Sequence, residues 1–201
     1  MRNWKSGLAM TALLVASTCT AAGAGQPAVK GGATPAPTSL RQANVLAGHG
    51  DYKAAIELYK RAQEEEPKNA LVFHMWGRTL ALTGNMSSAI DRYKQALELN
   101  PKNPELLNDL GVALTANGES GQAALQLKRA IELSPKYVAA HNNLGVTLMH
   151  TGDYAGAVEA FRASLKIQPR NALIQKKLEE ALTHVGGSEK SPPVAADKAG
   201  D

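Results

Sequence analysis

Histidine and cysteine are the residues of this chain whose side chains could bind a metal or act as a nucleophile. The chain has one cysteine, Cys19. No Cys/His cluster has the spacing that a tetrahedral zinc site requires. We therefore expect no metal site, and no thiol nucleophile in the body of the chain. The histidines are His49, His74, His141, His150 and His184.

Other motifs that carry chemistry are also missing. The glycines are too widely spread to form a GxxxxGK[ST] phosphate loop, and no GxSxG nucleophile elbow occurs. The carboxylates of Glu64, Glu65 and Glu66 stand in a row, but such runs are typical of a solvated helix end. Because no set of residues has the spacing of a known catalytic motif, the sequence predicts a protein that is not an enzyme and needs no cofactor.

Net charge excludes a nucleic-acid-binding role. The chain holds 22 basic and 18 acidic residues. Two of the basic residues, Arg2 and Lys5, belong to a segment that we expect to be removed, which leaves 20 against 18. A near-neutral chain has no electrostatic footprint for a phosphate backbone. We expect proteins as its partners.

The first 24 residues indicate export. Arg2 and Lys5 form a charged start, an apolar run covers 7–15, and small residues follow. The run is about half as long as a membrane-spanning helix, and no later apolar stretch is longer. The sequence therefore predicts a signal peptide over 1–24 and no permanent transmembrane helix.

The end of this signal peptide has two interpretations. Cleavage after Ala22 or Ala24 satisfies the small-x-small pattern of signal peptidases and discards Cys19. Alternatively, Cys19 becomes the acylated first residue of a bacterial lipoprotein, although Thr18 departs from the usual lipobox. The first interpretation predicts a periplasmic protein. The second predicts a protein anchored to a membrane from the periplasmic side.

Between two Gly- and Pro-rich ends, the sequence repeats itself every 34 residues. We expect residues 25–35 to be a flexible linker and 186–201 a disordered tail. A fixed period of this length is typical of stacked supersecondary units. The repeating positions are Pro67, Pro101, Pro135 and Pro169; Gly50, Gly84, Gly118 and Gly152; Gly77, Gly111 and Gly145; and Ala55, Ala89, Ala123 and Ala157.

Each repeating residue has a physical role in a pair of helices. Proline lacks an amide hydrogen and ends the second helix of a unit. One glycine per unit reverses the chain after the first helix, while the other, with the alanines, lets two helix backbones approach. Large apolar side chains fill the remaining gap. These form two columns: Trp76, Leu110 and Leu144, and Tyr59, Tyr93, Leu127 and Phe161.

This pattern resembles the tetratricopeptide repeat (TPR) family. The second unit carries it in Trp76-Gly77, Leu80, Gly84, Ala89, Tyr93, Ala96 and Pro101. Departures are Ala43 in place of the first glycine and Leu127 in place of an aromatic residue. The resemblance implies an all-α, right-handed α-solenoid superhelix with repeats at 36–69, 70–103, 104–137 and 138–171, and a capping helix at 172–185 that solubilises the open end.

In this family the first helices of successive units line a concave groove. Counting from the start of each repeat carries that groove onto Asn44, His74, Arg78, Asn108, Val112, Thr115, Asn142, Val146, Met149 and Lys176. Amides beside an apolar patch suit a peptide or helical segment of a partner. The clamp that some TPR cochaperones use for a chaperone tail is not reproduced, because Leu40 and Met75 occupy two of its polar positions.

The sequence thus predicts a non-enzymatic binding scaffold of the bacterial cell envelope, similar to the exported TPR proteins and lipoproteins that assist pilus or secretion-system assembly. The alternative is a periplasmic chaperone or holdase, or a regulator of a cell-wall enzyme, for which loose sequence preference would suffice. One stable partner would favour the scaffold, and many unfolded clients would favour the holdase.

Overall fold

The computed structural model describes residues 38–188, and every regular element of this range is an α-helix. The predicted signal peptide, Cys19, the linker and the tail from residue 189 lie outside the described residues. The helices are α1 (Thr38–Gly48), α2 (Tyr52–Glu65), α3 (Ala70–Leu82), α4 (Met86–Leu99), α5 (Pro104–Ala116), α6 (Ser120–Leu133), α7 (Val138–Thr151), α8 (Tyr154–Ile167) and α9 (Ala172–Ser188).

The helices are stacked in two layers. Each packs against the next one along the chain, and α1, α3, α5, α7 and α9 also contact one another in that order. The odd-numbered helices therefore form a continuous inner row, and the even-numbered helices cover its outer side. This is the all-α TPR superhelix that the sequence predicts, with α9 closing the last pair.

A left-handed glycine ends the inner helix of each of the four repeats. Gly152 has φ of 80°, and its N–H donates to Met149 O at 3.1 Å while the N–H of Asp153 donates to Leu148 O at 3.0 Å. This pair of bonds satisfies carbonyl groups at the helix end, and glycine adopts the required backbone conformation without a Cβ penalty. The same arrangement follows α1, α3 and α5 at Gly50, Gly84 and Gly118.

A second glycine marks the place where the two helices of a pair touch. A Cβ built on Gly145 would lie 2.6 Å from Cε1 of Phe161, which is fully buried. Gly77 meets the ring of Tyr93 and Gly111 meets Leu127 in the same way. As expected, the glycine of the inner helix makes room for the large side chain of its outer partner.

The outer helices end one or two residues before the repeating prolines. In the first unit the N–H of Glu66 donates to Ala62 O at 2.9 Å, and Pro67 follows in the turn. The last helix extends further than we predicted, through Gly186 to Ser188 instead of ending at 185. Glycine weakens a helix by about 1 kcal/mol but does not block it as proline does, and Pro192 lies beyond this end.

The two predicted apolar columns form the core. Trp76, Leu110 and Leu144 are at most 8% exposed, and all four members of the other column are at most 2% exposed. The column members fall into three buried clusters, and the half-buried Leu148 packs against two of them. Such a core stabilises each repeat mainly through contacts with its neighbours.

Gly145→Ala tests the contact with Phe161. We expect the free energy of unfolding to fall by about 1–3 kcal/mol, because the buried ring cannot move away from the added methyl group. Urea unfolding followed by circular dichroism measures the change. Gly121→Ala is the matched control, since Gly121 lies in α6 with nothing within 4 Å of its Cβ position. That variant should be neutral or up to about 1 kcal/mol more stable. Equal losses in both variants would contradict the close-approach argument.

Candidate partner-binding groove

The predicted groove residues lie on the inner row of helices but differ in accessibility. Asn44, Val112, Thr115, Val146 and Met149 are half-buried. Arg78 and Lys176 are exposed. His74, Asn108 and Asn142 are buried, with 8%, 5% and 3% of their surfaces exposed. Because neighbouring helices cover them, these last three residues do not line an open surface as the repeat count suggested.

The buried members belong to a chain of hydrogen bonds across α3, α5 and α7, which we call the polar seam. Asn142 Nδ2 donates to Asn143 Oδ1 at 3.4 Å, and Asn143 Nδ2 donates to Asn108 Oδ1 at 2.9 Å. Asn108 Nδ2 then donates to Asp109 Oδ1 at 3.3 Å. Nε2 of His74 lies 2.9 Å from Asp109 Oδ2 and donates to it, since a carboxylate only accepts. The seam ties three inner helices together.

Two members of the seam, Asp109 and Asn143, were not among the predicted groove residues. Each bonds a residue on the preceding inner helix that is 35 positions earlier: His74 for Asp109 and Asn108 for Asn143. A search for polar pairs separated by one repeat plus one residue would have found both. The groove residues were assigned by comparing positions 34 apart, and that comparison does not detect contacts between residues 35 apart.

Asn142 ends the seam with one polar atom unsatisfied. Its Oδ1 is buried and has no hydrogen-bond partner among the described residues. The residue 35 positions further along is Lys177, whose pKa is lowered by burial and raised in part by nearby Glu180. Lys177 on α9 is thus the equivalent, by the repeat of 34, of Asp109 on α5 and Asn143 on α7.

Hydroxyl groups make further links along the inner row. Tyr59 donates from its OH to Asn44 Oδ1 at 2.8 Å, and Thr79 Oγ1 lies 3.4 Å from that same OH. Burial raises the pKa of Tyr59, opposed by the bond from Thr79 and by the charge of Arg78. Thr115 and Thr147 place their Oγ1 atoms 2.8 Å apart between α5 and α7. Asn44 and Thr115 thus have structural partners as well as a place in the groove.

The N-terminal half of the inner face is cationic. Neither α1 nor α3 contains an Asp or Glu residue, whereas Arg41 and Arg78 are both exposed. Arg78 Nε lies 3.9 Å from Asp109 Oδ2, and nearly half of the Arg78 side-chain surface is exposed. Burial and the charge of Asp109 raise the pKa of Tyr93, while the charge of Arg78 lowers it in part. Asp109 therefore balances only part of the local positive charge.

An apolar patch lies on α5 and α7. It consists of Val112, Val146 and Met149, which occupy the groove-facing positions of successive units and are half-buried. Val146 and Met149 pack against the cluster that contains Phe161 and Ile174, so the patch rests on the core. Such a surface binds an apolar side chain without changing shape.

Metal sites and membrane spans were considered over the same range. Within 38–188, no group of three or more His, Cys, Asp or Glu side chains could hold a metal ion. None of the helices in that range has the length and apolar character needed to cross a membrane.

Family comparison agrees with this geometry. Tetratricopeptide repeat models match residues 36–69 and 108–172, and a TPR repeat model matches 77–118. This chain belongs to the tetratricopeptide repeat family. TPR arrays are interaction scaffolds, so the chain is a binding protein and not an enzyme. No curated protein sequence matches it significantly.

Solved TPR structures share the fold. MamA is similar with a TM-score of 0.70 and 26% identity, over 74% of this chain and 81% of that one. YrrB has a TM-score of 0.66 and 22% identity, over 77% and 80% of the two chains. The Sgt2 TPR domain of Aspergillus fumigatus has a TM-score of 0.58 and 26% identity, over 66% and 90%.

Asp109→Ala tests whether the polar seam stabilises the TPR array. We expect a loss of about 1–3 kcal/mol in the free energy of unfolding, because the buried imidazole of His74 and the amide of Asn108 each lose a hydrogen-bond partner. Asp91→Ala is the matched control, since Asp91 is exposed on the outer helix α4, and its effect should stay within about 0.5 kcal/mol. Urea unfolding of both variants and of the wild type measures these changes in the free energy of unfolding. Similar midpoints would show that the seam contributes nothing.

Proposed function

We propose that this TPR protein is a scaffold of the bacterial cell envelope that binds a segment of a partner protein in the groove of its inner helices. The observation that carries the proposal is the apolar patch of Val112, Val146 and Met149 beside the exposed guanidinium of Arg78. The patch accepts an apolar side chain of the partner, and Arg78 pairs with an acceptor or an acidic group on the same segment. The mechanism is equilibrium binding.

Related structures support a peptide as the ligand. YrrB is described as a TPR protein with an unusual peptide-binding site, and the first TPR of Spaghetti (RPAP3) was solved bound to the HSP90 peptide SRMEEVD. The mode of binding differs here, because Leu40 is completely buried and Met75 partly buried at two positions where a carboxylate clamp needs polar groups. We therefore expect a segment held mainly by an apolar anchor.

Photo-crosslinking in cells tests the groove. A photoreactive amino acid at Val112 should give a discrete adduct with one partner, whereas the same group at Lys60, exposed on the outer helix α2, should not. Arg78→Glu should weaken the Val112 adduct at least tenfold, because it reverses the charge beside the patch. The readout is the adduct band on a gel, identified by mass spectrometry.

The other outcomes of this experiment also discriminate. Adducts at Lys60 but not at Val112 would overturn binding in the groove. A smear of many adducts at Val112 would replace the scaffold with the holdase, for which the loosely selective patch of Val and Met side chains would be sufficient.

The location in the envelope rests on the sequence. Arg2, Lys5 and the apolar run over 7–15 indicate export, and we propose that the signal peptide is removed after Ala22 or Ala24. The protein would then act in the periplasm, where pilus or secretion-system assembly is a function suited to a small scaffold.

The intact mass of the protein recovered from cells tests this location. We expect a chain that begins at Gly23 or Gly25, released with the periplasmic fraction, and Cys19→Ala should change neither result. A chain that begins at Cys19 and carries a diacylglyceryl group would identify a lipoprotein instead. A mass that includes Met1 in a cytosolic fraction would exclude export.

A further inference from the structure

The outer face of the third repeat differs from that of the second repeat at the place where α4, α5 and α6 meet. In the second repeat, Trp76 on the inner helix is covered by Arg92 on the outer helix, whose guanidinium carbon lies 3.9 Å from the centre of the indole ring. One repeat later, the positions of Trp76 and Arg92 are occupied by the smaller Leu110 and Gln126. Fewer atoms are available to fill the space between the repeats.

An open cleft results at this place. Its volume is about 470 Å³ and it lies between α4, α5 and α6. Leu97, Leu110 and Leu114 form its apolar floor, and Leu110 and Leu114 are buried at 3% exposure each. The volume is ample for one large apolar side chain.

A protruding leucine stands next to the cleft. Leu125 on α6 is 58% exposed, whereas Gln122, Gln126 and Arg129 of the same helix line the cleft. Residues three or four apart are neighbours on a helix surface, so Leu125 lies at the lip beside Gln122 and Arg129. The equivalent position holds Glu57, Asp91 and Glu159 in the other repeats. The third repeat therefore has an apolar side chain in solvent, beside the apolar floor of the cleft, where the other repeats have an acidic one.

The charges at the rim of the cleft are balanced. Lys94 and Arg129 are basic, Glu98 and Glu119 are acidic, and all four line the cleft. Glu119 is the N-cap of α6 and Arg129 lies near its other end. A two-fold axis beside Leu125 makes the α6 helices of two copies antiparallel, so each Glu119 lies opposite the Arg129 of the other copy. In such a pair, Leu125 of each copy also faces the cleft of the other copy.

We propose that this outer face binds a second copy of the chain, with Leu125 of each copy seated in the cleft of the other. The contact is isologous, because the same residues serve on both sides. Two convex surfaces meet over a small area, so the dimer is weak, with a Kd on the order of 10 μM. The groove of the inner helices faces away from the contact and takes no part in it.

Sedimentation equilibrium of the processed chain, which begins at Gly25 and lacks Cys19 and the apolar run over 7–15, tests the proposal. We expect a reversible monomer–dimer equilibrium and at least a tenfold higher Kd for Leu125→Glu, whose carboxylate would enter an apolar cleft. Leu173→Glu is the matched control: Leu173 is 50% exposed at the start of α9, away from the cleft, and its Kd should equal that of the wild type.

A second variant closes the cleft without touching Leu125. Leu110→Trp combined with Gln126→Arg rebuilds the arrangement of Trp76 and Arg92 and should also raise the Kd at least tenfold. Circular dichroism and the midpoint of urea unfolding check that each variant is folded. A wild-type chain that stays monomeric to several hundred micromolar would overturn the proposal and leave the cleft to a different protein. Association that Leu125→Glu does not weaken would overturn it as well.

Discussion

The spacing between the two helices of each repeat is the constraint on which the rest of this structure depends. Gly77, Gly111 and Gly145 have no side chain at the point where a large residue of the outer helix approaches. Any Cβ there would meet a ring or a leucine at 2.6–2.7 Å, so the pair would have to separate. Because every unit is packed against the next one, a change in one pair alters the position of all later inner helices. The groove exists only while these distances are kept.

A second constraint acts between the repeats rather than within them. The polar seam joins α3, α5 and α7 through side-chain bonds whose members are mostly buried. Apolar packing alone tolerates small shifts between neighbouring helices, whereas a hydrogen bond requires a defined distance and angle. We infer that the seam sets the register of the inner row, and that its cost is small because nearly all of its polar groups are paired. Specific binding in the groove depends on this register.

Much of this fold could be predicted because the repeating residues act locally. A proline that ends a helix, a glycine with positive φ and a glycine at a helix contact each follow from the residue type and the period of 34. The apolar columns then follow from the same count. Asn108 and Asn142 were assigned to the open groove by this count, but they are buried. Burial depends on contacts with the next repeat, such as the bond from Asn143 to Asn108, and that is a pairwise property which a column of equivalent positions does not contain.

The cleft beside Leu125 could not be predicted for a related reason. Leucine at position 110 and glutamine at position 126 are ordinary residues for an inner and an outer helix, and either alone would attract no attention. The structure shows the space beside them, in contrast to the second repeat, where Trp76 and Arg92 fill the equivalent positions with larger side chains. The volume left between two helices depends on the side chains of both, whereas the repeat pattern constrains the two columns separately.

The two faces of the molecule can act independently because the core separates them. The groove is formed by the inner helices and the cleft by the outer side of α4 and α6, with the apolar columns between. On our two proposals, a dimer formed through the outer faces presents two grooves that point away from each other. Each groove would then hold a segment of a different partner molecule, and the dimer would bridge the two. Because the two grooves cannot reach the same surface, neither strengthens the binding of the other. The lifetime of such a bridge is set by the weak contact between the outer faces.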